Sequence, residues 1–138
     1  PNDAQSRLEI ARKIVQRAEA LGIPRADVIV DCACMAVSTD GMAALVTLET
    51  VRLVRQELGC NITLGASNVS FGLPERKVLN AAFLPLAIAA GVNCPIVDPT
   101  VLEVAKAILA ADLLLGKDEY GMNYIRAYRK RLAAEGAR

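Results

Sequence analysis

The chain has 138 residues, 54% of them hydrophobic and 22% charged, with 16 basic side chains against 15 acidic ones. That length supports one domain with a substantial core but falls short of a complete (β/α)8 barrel, which takes about 250 residues. A formal charge of +1 supplies no broad cationic field, so nucleic-acid binding is not expected.

The high apolar fraction argues against disorder. The longest apolar stretch, Ala81 to Val92, contains Pro85 and Gly91. It is well short of the roughly 20 residues of a membrane span. No secretory signal is read at the start. The chain opens at Pro1 without an initiator Met, as expected of a processed, trimmed or excised polypeptide.

In chain order, the first expected element is a helix from about Asp3 to Leu21, with Leu8, Ala11, Ile14, Val15, Ala18 and Leu21 on one face. Gly22 and Pro24 end it. Asp27 to Cys32 reads as a buried strand. A second helix spans about Met42 to Leu58, with Leu45, Leu48, Val51 and Leu58 inward and Gly59 as terminator. Asn61 to Ala66 is a second strand, followed by a loop from Ser67 to Pro74.

A third helix runs from about Glu75 to Ala90, with Pro85 expected to kink or split it. Cys94 to Val97 is the third strand. Asp98-Pro99 suits an N-cap followed by Pro at the first helical position, opening a helix to about Leu115. A last helix, about Glu119 to Ala134, turns Met122, Ile125, Tyr128 and Leu132 inward and Arg126, Arg129, Lys130 and Arg131 outward.

This alternation implies right-handed βαβ units and a parallel sheet. The strands are uninterrupted apolar runs, as expected when both sheet faces are covered. Three parallel strands leave two open edges, which invite pairing with another chain.

Function in such folds gathers at the carboxyl ends of the strands. Asp31, Asn68 and Asp98 sit there. An ionised carboxylate ending an apolar strand needs partners. Asp31 takes either a ligand with paired N–H donors, such as an aminopyrimidinone edge, or backbone N–H groups of the next loop. Asn68 can donate and accept, so it can follow a ring nitrogen whose protonation changes; equally, it can cap a turn. Asp98 reads as a helix cap before it reads as a ligand.

The chain contains no His. Imidazole acid–base chemistry, Ser-His and Cys-His dyads and His-based metal sites are therefore removed. Cys32, Cys34, Cys60 and Cys94 read as lying in buried strands or strand entrances, which points to reduced thiols in the cytoplasm. Cys32 and Cys34 form a C-x-C pair, but zinc normally needs three or four ligands and the other two cysteines enter strands at the far end, so no metal is expected. The basic run of the last helix reads as a solvated face complementing the helix dipole, or as a docking strip for an acidic substrate tail.

The string LGASNVSFGLPERKVLNAAFLPLAIAAG (Leu64 to Gly91) resembles the pterin-binding methyltransferases. These are the methyltetrahydrofolate:corrinoid protein methyltransferases and the folate-binding module of cobalamin-dependent methionine synthase. Ser67, Asn68, Val69, Ser70, Arg76, Leu79, Asn80, Phe83 and Leu84 carry the likeness. GIPRADVIVD and VNCPIVDP resemble the family's sixth and eighth strands.

The resemblance implies a TIM barrel of which residues 1–138 form the carboxyl-terminal part, strands six to eight. It implies that Asp31 holds the pterin's amino and ring N–H groups and that Asn68, the catalytic residue, lies near pterin N5. Ser67, Ser70 and Asp98 join them on the substrate side. The implied reaction passes a methyl group from methyltetrahydrofolate to the cobalt of a cobalamin-type corrinoid carried by a partner protein.

Departures from the family pattern are Cys32 where a Pro is common, Pro85 within a helix, and the lack of strands one to five. Those strands would come from an amino-terminal half or a homo-oligomer. A non-catalytic pterin-binding or self-associating half-barrel is the alternative. Dihydropteroate synthase ranks third, because its Ser-x-Arg motif and Lys-bearing loop have no counterpart.

Overall fold

The computed structural model describes residues 1–136; the last two positions of the expected domain span, 137 and 138, lie outside it. Helix α1 (Ala4–Ala20) starts where the Asp3 carboxylate accepts from the Ser6 N–H at 2.7 Å. Then come β1 (Ile29–Asp31), α2 (Ala43–Glu57), β2 (Asn61–Gly65), α3 (Arg76–Ala90), β3 (Cys94–Ile96), α4 (Leu102–Leu114) and α5 (Met122–Gly136). Single 3-10 turns precede β1, follow β2 and precede α5.

The strands are parallel and lie in chain order, β1-β2-β3. Asp31 pairs with Thr63, Thr63 with Cys94, and Gly65 with Ile96. The helices pack in sequence as well, α1 on α2, α2 on α3 and α3 on α4. Consecutive right-handed crossovers put their helices on the same side of a sheet. The core lies between the two layers. Ile62 and Leu64 of β2 are wholly buried with Leu8, Val51, Val54, Leu84 and Val92.

Alternation along β2 leaves Asn61, Thr63 and Gly65 on the opposite face, where they are half-buried. Ile29, Asp31, Cys94 and Ile96 share that face by register and are exposed. This corrects the expectation of a sheet covered on both sides. Among the described residues, only the helix-side face is covered.

Three helix expectations also change. The stripe Met122, Ile125, Tyr128 and Leu132 of α5 is exposed, as are Ile14 and Leu21 after the first turns of α1, and Leu45 of α2. On α1 and α2 other members of each expected face are buried, with Leu8, Ala11 and Val15 on α1 and Val51 on α2, but no described element covers these particular side chains. Pro85 does not split α3, because Leu84, Ala87 and Ile88 hold the helix against the core on both sides of it. Helix α4 starts at Leu102 instead of Pro99. Asp98 closes a separate turn first, with its carbonyl accepting from the Val101 N–H at 3.3 Å.

Gly91 ends α3 at φ 133°, and a Cβ there would lie 2.9 Å from Cβ of Arg55 on α2. The glycine therefore serves both the turn and the close approach of the two helices. At the start of α5, Asp118 accepts from the N–H groups of Asn123 and Tyr124, at 3.0 and 2.9 Å. Those bonds hold its carboxyl below the ordinary carboxylate value.

Candidate active site

Asp31 is exposed at the carboxyl end of β1, on the open face of the sheet. Its Oδ1 accepts from the Ala33 N–H at 2.8 Å, and Oδ2 has no partner among the described residues. The backbone role read from sequence is the one observed: one oxygen fixes the following turn, and the other is unengaged among the described residues. Ala33 sits in the left-handed region at φ 51°, a conformation that costs a non-glycine residue about 1–3 kcal/mol and persists only where its surroundings hold it. Here the Arg7 guanidinium on α1 donates through Nη1 to the carbonyls of Ala33 and Cys32, at 3.0 and 3.3 Å.

Asn68 lies in the 3-10 turn Ala66–Ser70 that follows β2. Its carboxamide folds back over Gly65: a Cβ on that glycine would meet Asn68 Nδ2 at 3.2 Å and Cγ at 3.6 Å. Gly65 belongs to the open face, so the Asn68 amide lies on the same face and at the same end of the sheet as Asp31. It is exposed and makes no side-chain hydrogen bond among the described residues. The loops carrying the two residues are latched together. Val37 N–H donates to the Val69 carbonyl at 3.0 Å and the Ser38 hydroxyl to the Phe71 carbonyl at 2.6 Å.

Ser67 is exposed beside Asn68. Ser70 is fully buried, which corrects its place among the residues facing a substrate. Its hydroxyl accepts from Arg76 Nε at 3.1 Å and lies 2.7 Å from Asn80 Oδ1 and 3.1 Å from the Ser67 carbonyl. Arg76 Nη2 also donates to that carbonyl at 2.9 Å, and its guanidinium lies 5.8 Å from the centre of the Phe71 ring.

Ser70 is therefore a tie-point that binds α3 to the turn presenting Asn68. Ser70→Ala strands Arg76 Nε and Asn80 Oδ1. Arg76 is exposed and Asn80 half-buried, so each lost bond costs about 0.5–1.5 kcal/mol, and a lower denaturation midpoint is expected. An unchanged midpoint would remove the tie-point role. Sequence reading missed the roles of Gly65, Arg7, Arg76 and Asn80. Arg76 and Asn80 were signalled by their place in the family-like string and by their spacing, four apart and thus on one helical face.

Asp98 is exposed just beyond β3 and belongs to the same end of the sheet. Its Oδ1 accepts from the Thr100 hydroxyl and N–H, at 2.6 and 2.9 Å, and these bonds hold its carboxyl below the ordinary range. Its observed work is turn formation.

All four cysteines are free. Burial pushes the Cys32 thiol up to about 12 and the Cys34 thiol to about 11, with the nearby Asp31 charge adding to both. Both are protonated at neutral pH and poorly reactive. Cys60 is buried, but Cys94 is exposed, because its side of β3 is the uncovered face. In the native chain a thiol reagent is expected to modify Cys94 first and to reach Cys32 and Cys34 only on unfolding. Equal native rates at all four would contradict that burial.

Residues 3–98 match the sequence profile of the family described as pterin binding enzyme. The chain belongs to this pterin-binding family. One curated relative, a methylcorrinoid:tetrahydrofolate methyltransferase of Eubacterium limosum, is 32% identical over 133 residues, covering 94% of this chain and 48% of the relative. The chain thus spans about half the length of that relative. As in a pterin-binding barrel, its three parallel strands run in order with helices on one side, forming one arc of a (β/α)8 barrel. Among the described residues, no helix is long and apolar enough to cross a membrane.

Proposed function

We propose that this chain supplies part of the pterin site of a methyltransferase that moves a methyl group between tetrahydrofolate and the cobalt of a corrinoid carried by a partner protein. The observation that carries the reading is the pairing of a free carboxylate oxygen on Asp31 with an unengaged carboxamide on Asn68, at adjoining strand ends on one open face. The name of the relative from Eubacterium limosum, a methylcorrinoid:tetrahydrofolate methyltransferase, supplies the reaction class.

Asp31 would accept the amino and ring N–H groups of the pterin's pyrimidine side, fixing the ring in its plane. Asn68 would then face N5. Its amide can donate to the N5 lone pair before that nitrogen is protonated and can turn its oxygen to an N5–H afterwards. In the demethylating direction N5 gains a proton from solvent and keeps the electron pair of the breaking C–N bond, while the electron pair of Co(I) forms the new bond to carbon. The reverse direction uses the same contacts. No imidazole is required, in keeping with a chain that has no His.

The direct test is to incubate the intact protein with methyltetrahydrofolate and a reduced corrinoid protein, following the cobalt absorbance. Methylation of the corrinoid, together with saturable folate binding, is the expected result. Absence of folate binding at millimolar concentration would overturn the reading.

A cleft of about 560 Å³ beside the free edge of β1, lined by Ile10, Ile14, Ile29 and Met35 among others, supports a companion reading for assembly. The remaining strands of the barrel would cover it, from the rest of the polypeptide or from another chain, since unpaired edges and apolar clefts favour such pairing. A strictly monomeric, cooperatively folding 138-residue chain in light scattering would count against this reading. The free thiols support a reducing, cytoplasmic setting.

A further inference from the structure

We infer that Arg7 is a positioning residue for the pterin site, acting on the ligand through Asp31. The inference rests on the reading of Asp31 as the pterin's carboxylate partner. Arg7 is half-buried on α1, outside the strand ends. Its Nη1 holds the carbonyls of Cys32 and Ala33, and its Nε holds the carbonyl of Pro1 at 3.0 Å. Ala33 is the residue whose N–H fixes Asp31 Oδ1, and it does so from a left-handed conformation.

A guanidinium clamped on the two carbonyls flanking that N–H keeps the turn, and with it the orientation of the carboxylate. No ion pair joins Arg7 to Asp31 among the described residues. Arg7 directs Nε and Nη1 at backbone carbonyls and leaves Asp31 Oδ2 for a ligand. A direct Arg–Asp pair would have engaged that oxygen.

Lysine keeps the charge of Arg7 but lacks the planar fork. Tetrahydrofolate affinity and turnover are measured on the intact protein for Arg7→Lys, Asp31→Ala and the double variant. Arg7→Lys is expected to weaken folate binding by about tenfold, the scale of one or two hydrogen bonds, with kcat at saturation changed less than about twofold. The double variant should bind no worse than Asp31→Ala alone, because a residue that works through Asp31 has nothing left to position.

Amide exchange supplies a second readout: in Arg7→Lys the Ala33 N–H should exchange faster while those of Ile62 and Leu64 stay protected. Wild-type affinity in Arg7→Lys, additive losses in the double variant, or a uniform rise in exchange across the core would each overturn the inference. Wild-type affinity in Asp31→Ala would instead remove the assignment of Asp31, and this inference with it, so the two failures are told apart.

Discussion

If the proposed function holds, Asn68→Ala is expected to lower the rate of methyl transfer by roughly 10²–10³-fold, the scale of losing one preorganised hydrogen-bonding group at a centre where charge develops. The effect should fall on kcat. The Asn68 side chain makes no hydrogen bond among the described residues, and its amide only rests over Gly65. The melting temperature of the variant is therefore expected to match the parent, and folate affinity to change little.

Single-turnover kinetics with methyltetrahydrofolate and a reduced corrinoid protein give the measurement. Unchanged turnover in a folded variant would refute the part given to Asn68. The companion substitution Gly65→Ala bears on the same point from beneath. A Cβ 3.2 Å from Asn68 Nδ2 requires the amide to shift by a few tenths of an ångström, so a smaller loss of kcat is expected there.

Asp31→Ala is expected to produce the second large effect, in binding instead of turnover. A charge-assisted hydrogen bond contributes roughly 1.5–3 kcal/mol, which corresponds to about a 10- to 100-fold rise in the folate dissociation constant. Asp31→Asn should recover little of it, because an amide NH2 turned toward the pterin's N–H donors opposes them. Equilibrium titration with tetrahydrofolate separates the outcomes. Wild-type affinity in both variants would show that the carboxylate serves only its own turn. The contrast between a kcat defect at Asn68 and a binding defect at Asp31 tests whether the two groups address different ends of one ring.

Much of the fold was legible from local signals. Gly22, Gly59 and Gly91 stop the first three helices where the chain leaves them, and the apolar runs around Val30, Leu64 and Pro95 are the strands. The start of α4 was misplaced because Asp-Pro encodes both a helix cap and a free-standing turn, and the Thr100 hydroxyl favours the turn. The inward stripe assigned to α5 failed for a different reason. Periodicity tells which side chains share a face, whereas burial depends on whether another element arrives there.

Composition and pattern were sufficient to establish three βα units, a parallel sheet and a 138-residue chain without His, and they pointed to Asp31 and Asn68 at the strand ends. These depend on interactions spanning a few residues, where propensity, capping and alternation operate. Only the tertiary structure decided that one sheet face is open, that Ser70 is sealed behind Arg76 and Asn80, that Asn68 is seated on Gly65, and that Arg7 reaches across 26 positions to the turn of Asp31. The open face and the reach of Arg7 depend on strand register and on the side to which each crossover returns its helix, which no short window encodes. The Ser70 and Asn68 contacts are close in sequence but are set by how the loop after β2 folds back on the strand end and on α3.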